Sequence, residues 1–480
     1  LTIDRLARNN EALHIKKRQG MPIASTNQGG FMASRMSIFR IISVSILVGS
    51  SFTANATTVA VIDSGVDFKH EALASKMWLN PQSSTTDDAG NVYQSDRNGW
   101  NFAENNNQII DYKYVGTFSQ DCYRMVETQG KILRGVATDE EKAWYKSKKE
   151  DANFVKEMQK FGNFIHGTHV SGISTSESDA AEIVAMKLIP TETPGANVSI
   201  VSDKVGNPLV TLMLGVVAKR QASMLLKVGK YTKAVSARVA NGSFGSSVTA
   251  VKPIVTELAK QLTGADPTEE EAEAYAKDLV NALIKECKGF PEASPNTLFV
   301  FAAGNDGTNN DVLPTSPANI KLANTIAVAA TFGKEKLASF SNFGASMVDV
   351  AAPGVVIPAA IPGNQYIELS GTSMAAPYVT NIAARIQDEN SSLTPAQVKK
   401  ILIDTVDKKE WLVGKVSSGG IVNSRRAIFA AELSHSMSLD EAVKSAQKEI
   451  GVDMSMSLAD RLDSIDESDL IIAPLASFFE

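Results

Sequence analysis

The sequence predicts an α/β fold with a mostly parallel central sheet and helices on both faces. Three observations point there. Short runs of consecutive apolar residues recur at strand length, among them 59–62, 183–186, 298–303 and 326–330. Such runs mark strands covered on both faces, as parallel strands are. Two of them end in polar turns, Asp63-Ser64-Gly65 and Gly304-Asn305, and α/β sheets place their sites at the C-terminal ends of strands. Between and after them lie stretches of helical period, at 207–227 and at Tyr378, Val379, Ile382, Ala383 and Ile386.

The 480 residues suffice for one large domain with appendages. A net charge of −6 and a pI of about 5.6 give no footing for nucleic acid or an anionic membrane surface. Cys122 and Cys287 have no zinc or redox spacing. One disulfide and two free thiols both remain open.

Residues 1–35 are polar and mixed. A positive Met36–Arg40, an apolar run from Ile41 to Val48 and the Ala54-Asn55-Ala56 end make a secretory signal over 36–56. The expectation is that 1–35 is an upstream segment outside the mature protein, an extended signal region being the alternative. The apolar run is short for a bilayer span, so no stable membrane insertion is expected once the signal is removed.

The strand ending at Asp63 comes next. An acidic, Gly/Asn-rich stretch follows (Asp87, Asp88, Gly90, Asn91, Asp96, Asn98), closing on Gly99-Trp100-Asn101-Phe102. Its oxygen ligands admit a structural Ca²⁺. The spacing does not match an EF-hand, and a solvated loop is the plainer reading. Residues 138–161 read as one charged helix, started by Thr138 and Glu141 as a capping box. The apolar positions Trp144, Phe154, Val155 and Met158 would dock it on the body, and a gate over a cleft is a second role. His166-Gly167-Thr168-His169-Val170-Ser171-Gly172 then carries a histidine on a helix whose small residues permit close packing.

Residues 182–189 read as a parallel strand, and 235–245 as a strand followed by a turn. Residues 248–288 are largely helical, with Glu269–Glu273 as an exposed helix start. Leu298–Ala303 is a buried strand running into Gly304-Asn305, and Asp306–Pro314 a polar loop. Thr394 and Pro395 start a late helix as N-cap and N1. The tail, 431–480, is helical and acidic.

Gly371-Thr372-Ser373-Met374-Ala375-Ala376-Pro377 sets a serine at the start of a buried helix. Pro377 is tolerated in the first turn, where N–H groups lack intrahelical partners. The helix start favours a developing negative charge on Ser373. Taken alone, the serine is a helix cap.

The stretches around Asp63, His166, Asn305 and Ser373, in that order, resemble the subtilisin-like serine peptidases, the subtilase family. Leu337–Gly344 and Val348–Gly354 resemble further segments of that family. The resemblance implies a subtilisin-like three-layer fold over 57–430, with insertions near 111–162 and 248–288. It implies Asp63, His166 and Ser373 as catalytic residues and Asn305 as the oxyanion-hole residue. It also implies Ser243, Phe244 and Gly245 as an edge strand for substrate, with Ala303 and Gly304 bordering it. His169 is read as structural. The expected function is a secreted or periplasmic serine endopeptidase, monomeric, acting on polypeptides and needing no cofactor for its chemistry. The alternative is a peptide-binding or latent protein on the same scaffold. The chain departs from the family in having only Thr57 and Thr58 between the signal and the Asp63 strand, where a propeptide is usual. It also departs at Tyr378, Thr380 and Asn381, the last two polar where small residues are usual, so both need partners if buried.

Overall fold

In the computed structural model of the chain, residues 56–176, 178, 181–192 and 207–452 are described. The signal segment up to residue 55, the stretch before it and the tail from 453 lie outside them.

Among the described residues, the parallel strands of the central sheet are β1 (Thr58–Asp63), β2 (Gly99–Asn101), β3 (Glu182–Lys187), β4 (Val239–Gly242), β5 (Leu298–Ala302), β6 (Thr325–Phe332) and β7 (Val350–Pro353), with the short Gly420–Ile421 parallel to β7. Their order is β7-β6-β5-β4-β1-β3-β2, and Gly420–Ile421 and Asp407–Lys408 extend the sheet beyond β7. Alternation along each strand sends side chains to both faces. Ala60, Ile62, Val184, Met186, Phe299 and Phe301 pack into one core cluster. Val59, Val61, Ile183 and Ala185 belong to a second, and Val300, Ala302, Val328 and Ala330 to a third. The continuous apolar runs therefore reflect a sheet covered on both sides.

The first face carries α4 (Asn207–Ala234), α5 (Val248–Thr263) and α6 (Glu269–Glu286). The helical expectation for 248–288 resolves into α5 and α6. They are parted at Gly264, which takes φ +75° as a left-handed cap. Thr268 and Glu271 then form a capping box that opens α6.

The single helix expected over 138–161 is two helices. Thr138 and Glu141 do form the capping box of α2 (Asp139–Lys149). Asp151 then accepts from the N–H groups of Asn153 (3.0 Å) and Phe154 (3.2 Å) and caps a new helix, α3 (Ala152–Ser174). An aspartate that binds the backbone ahead of it starts a helix rather than continuing one. Phe154 is buried, but Val155 is 42% exposed and does not dock. With α1 (Gln120–Leu133), α2 packs beside α3, through pairs such as Tyr123–Phe161. Arg134, the C-cap of α1, is paired with Glu368 at 2.5 Å, on the hairpin of β8 (Ile357–Ile361) and β9 (Gln365–Leu369).

The second face also carries α7 (Thr372–Glu389), α8 (Pro395–Asp404), α9 (Ser424–Leu433) and α10 (Leu439–Glu449). Thr394 caps α8 with Pro395 at its first position. Val443 and Ala446 of α10 are buried, so the start of the tail docks on the body. Cys122 and Cys287 are free buried thiols. In the acidic loop, Asp87 accepts from Ala89, Asn91 and the Tyr93 hydroxyl, and Asp96 from Asn80, Thr85 and Tyr231. These donors engage their oxygens, and no group of three or more His, Cys, Asp or Glu that could hold a metal ion occurs among the described residues. No described helix is long and apolar enough to cross a membrane.

Candidate active site

Asp63 ends β1, at the C-terminal edge of the sheet. His166 lies in the middle of α3, which crosses that edge. What allows the crossing is the absence of side chains. A Cβ on Gly167 would stand 2.3 Å from the Gly65 carbonyl oxygen and 3.1 Å from Asp63 Cβ. Gly65 itself takes φ +119°, where a Cβ would meet the Ile109 carbonyl oxygen at 2.4 Å. The Gly167 N–H donates to Ser64 Oγ (3.1 Å), which ties the helix to the turn.

In this contact His166 Nδ1 lies 2.7 Å from Asp63 Oδ1, which also accepts from the Ser64 N–H at 2.7 Å. Asp63 is fully buried and His166 nearly so. The carboxylate only accepts, so Nδ1 carries the proton and Nε2 of the neutral ring is the basic nitrogen. Nε2 has no hydrogen-bond partner among the described residues.

Lys187 is the register partner of Asp63 on β3 and is buried. Its charge is met by Asp111 at 2.5 Å. Burial opposes ionisation of Asp111, but bonds from Lys187 and Thr191 hold its carboxyl below the usual range. His169 has its Nε2 3.0 Å from the Ile367 carbonyl oxygen of β9. It pins α3 to the hairpin, and burial pushes its pKa down to about 3.

Asn305 follows β5, and Ser373 is the second residue of α7. Asn305 Oδ1 accepts from both the N–H and the Oγ1 of Thr372, at 2.9 Å each. With Oδ1 so engaged, the amide Nδ2 faces Gly371. A methyl on Gly371 would lie 3.4 Å from Asn305 Nδ2 and 3.6 Å from Ser373 N, so two N–H donors border one small space. Thr372 Oγ1 also accepts from the Gly304 N–H (3.2 Å). Asn342 braces the loop, accepting from Asp306 N (2.9 Å) and Thr308 N (3.1 Å). Gly304, at φ +119°, leaves room for that asparagine, whose Nδ2 a Cβ would meet at 2.3 Å.

The Ser373 hydroxyl donates to the Ser243 carbonyl oxygen at 3.4 Å. Ser243, Phe244 and Gly245 do not form an edge strand of the sheet. β4 lies inside it, between β1 and β5, and these residues leave its C-terminal end. The Phe244 side chain is fully buried in the core. Ala303 is buried, with its N–H on Val328 O (3.0 Å) and its carbonyl on Asn310 Nδ2 (2.9 Å).

Thr372, Ser64 and Asn342 were not singled out as contributors from the sequence, although each lies inside or beside a quoted motif. Asn381 finds its partner at the end of α3, donating to the Ser174 carbonyl at 3.2 Å.

Among curated proteins, the chain is 42% identical over 149 residues to an extracellular protease of Xanthomonas campestris, 29% of this chain and 24% of that protein. It is 35% identical over 136 residues to subtilisin BL of Lederbergia lenta, 28% of this chain and 47% of that protein. It is 36% identical over 132 residues to alkaline elastase YaB of a Bacillus species, 27% of this chain and 32% of that protein. The chain thus spans less than half the length of each of these relatives. A cold-adapted subtilisin-like serine proteinase matches in structure at 21% identity and a TM-score of 0.43, over 78% of this chain and 89% of that one. The model of the subtilase family matches residues 54–425, which is most of the chain, and the chain belongs to that family.

Proposed function

We propose that the chain is a secreted serine endopeptidase that hydrolyses peptide bonds through an acyl-enzyme on Ser373. The observation that carries the proposal is the buried Asp63–His166 bond of 2.7 Å, in a member of this family. A peptide carbonyl is a weak electrophile and a serine hydroxyl a weak nucleophile. His166 Nε2 takes the Ser373 proton as Oγ attacks the carbonyl carbon, and later gives it to the leaving amine. Asp63 fixes the tautomer and stabilises the imidazolium. The oxyanion is met by Asn305 Nδ2 and the Ser373 N–H, donors set in advance rather than reorganised. Water then attacks the acyl-enzyme by the same route in reverse. Backbone of Ser243–Gly245, with Ala303 and Gly304, borders the bound peptide. No cofactor enters this chemistry. Secretion rests on the segment 36–56 and on the extracellular relative. A monomer suffices, since all four groups come from one chain.

One observation favours the latent alternative. The Ser373 hydroxyl is directed at Ser243 O and not at His166. Catalytic hydrogen bonds are often long or misaligned before substrate binds. Fluorophosphonate labelling with intact-mass analysis separates the two readings. An active site adds one phosphonyl group to the wild type and none to Ser373→Ala, and only the wild type cleaves peptides. Peptide cleavage by Ser373→Ala at the wild-type rate would remove the assigned nucleophile. An unlabelled, folded wild type would establish the latent protein.

A further inference from the structure

The carbonyl of Ser373 has lost its helical donor. In an α-helix that oxygen accepts from the N–H four residues on, and here the residue is Pro377, which has none; contrary to the expectation from the sequence, Pro377 is the sixth residue of α7 and lies inside the helix, past its first turn. A buried carbonyl left unpaired is costly. Ser243 Oγ supplies the missing bond, donating to Ser373 O at 3.0 Å.

This requirement sets the direction of a longer chain. A hydroxyl has one proton. With that proton on Ser373 O, Ser243 Oγ must accept from its other neighbour, Asn241 Nδ2, at 2.8 Å. Asn241 therefore turns Oδ1 the other way, towards Thr380 Oγ1 at 3.0 Å, and Thr380 must donate. Thr380, Asn241 and Ser243 are fully buried, so water is a poor substitute. Without the Thr380 proton, Asn241 Oδ1 is a buried acceptor that has lost this donor, and the amide is held in this orientation only through its bond to Ser243. Turned over, it would accept from Ser243 and take the proton that Ser373 O needs.

We infer that Thr380 is a positioning residue for the nucleophile, acting through Asn241 and Ser243 on the backbone of Ser373. This rests on the proposal that Ser373 is the nucleophile. The chain of bonds holds the Ser373 peptide, and hence both its Oγ and its N–H, against the end of β4. The same Ser243 presents its carbonyl to the Ser373 hydroxyl, so the two residues hold each other.

Thr380→Val keeps the shape and removes the donor, whereas Thr380→Ser keeps the donor. The full chain is assayed for kcat and KM on a peptide, for the rate of fluorophosphonate labelling and for Tm. Thr380→Val is expected to lower kcat and the labelling rate together, by about 10- to 100-fold, with KM unchanged. Thr380→Ser restores most of kcat. A folded Thr380→Val with wild-type kcat overturns the inference. So does a loss shared by Val and Ser in step with Tm, which would mark a purely structural residue. If Thr380→Val does not fold, Thr380→Ala is read by the same criteria. Labelling of the wild type at a residue other than Ser373 would sink the underlying proposal. Labelling at Ser373 with an unaffected valine variant sinks this inference alone.

Discussion

The Asp63–His166 half of the site is held by backbone contact, and the Asn305–Ser373 half by side-chain hydrogen bonds. In the first, α3 lies against the end of β1 because Gly65 and Gly167 leave no atoms between them. In the second, β5 and α7 are joined through Thr372, Asn305 and Gly304, with Ser243 and Asn342 behind them. The two modes fail differently. A packed contact tolerates no added atom, and one methyl forces the helix away. A hydrogen-bonded loop can lose one group and keep its path.

Asn305→Ala tests the second half most directly and carries the largest expected loss. It removes one oxyanion donor, which costs about 10²–10³ in kcat, the magnitude known from a subtilisin asparagine in that role. Its Oδ1 also accepts twice from Thr372, so stability falls by about 1 kcal/mol. A fall in kcat with Tm nearly kept is the signature. If kcat holds, Asn305 is a loop asparagine and nothing more.

Gly167→Ala is the matching test of the packed half. Its Cβ would overlap the Gly65 carbonyl, so α3 must shift and carry His166 with it. We expect a loss of about 10²-fold in kcat from misplacement, together with about 1–3 kcal/mol of stability from overpacking. Here kcat and Tm fall together. An alanine variant of wild-type Tm would show that α3 is placed by other contacts.

The packed half was the more legible in the sequence. A strand ending in Asp63 and a small-residue helix bearing His166 carry their geometry in local pattern, because close approach requires glycine at fixed positions. The hydrogen-bonded half was legible as motifs but not as a network. Thr380 was recognised as a polar residue needing a partner, yet that partner is 139 residues away. Nothing local names it. The direction of the Ser373 hydroxyl is equally silent in the sequence, since it depends on where the Ser243 carbonyl falls. The break at Glu150–Asp151 had a readable signal, an aspartate able to cap a helix.

His169 extends the packed half to the hairpin, and acid should reveal it. Burial holds its folded pKa near 3, below the ordinary value of 6.5. A group depressed in this way contributes stability above its unfolded pKa and loses it as pH falls towards the folded one. The wild type should therefore lose Tm from about pH 6.5 downwards. His169→Gln, with nothing to titrate there, should show a shallower acid limb. Equal slopes would mean that His169 is not buried neutral.

The smallest effect belongs to Asp306, beside Asn305 in the hydrogen-bonded half. Burial raises its pKa, and bonds from Ser247 and Asn342 offset only part of the rise. The sign is opposite to that of His169. An acid raised in the folded state contributes stability below its unfolded pKa and loses it as pH climbs through the folded value. At mildly alkaline pH the partly buried carboxylate is a burden, so Asp306→Asn should raise Tm slightly. Well below the carboxylate range the difference should vanish or reverse. The amide still accepts from Asn342 through its oxygen, and its NH₂ can donate to Ser247, because a serine hydroxyl accepts as readily as it donates. That exchange of partners without movement of the backbone is what a hydrogen-bonded half permits and a packed half does not. A fall in Tm at alkaline pH would show that the Asp306 charge is paired more strongly than its surroundings suggest.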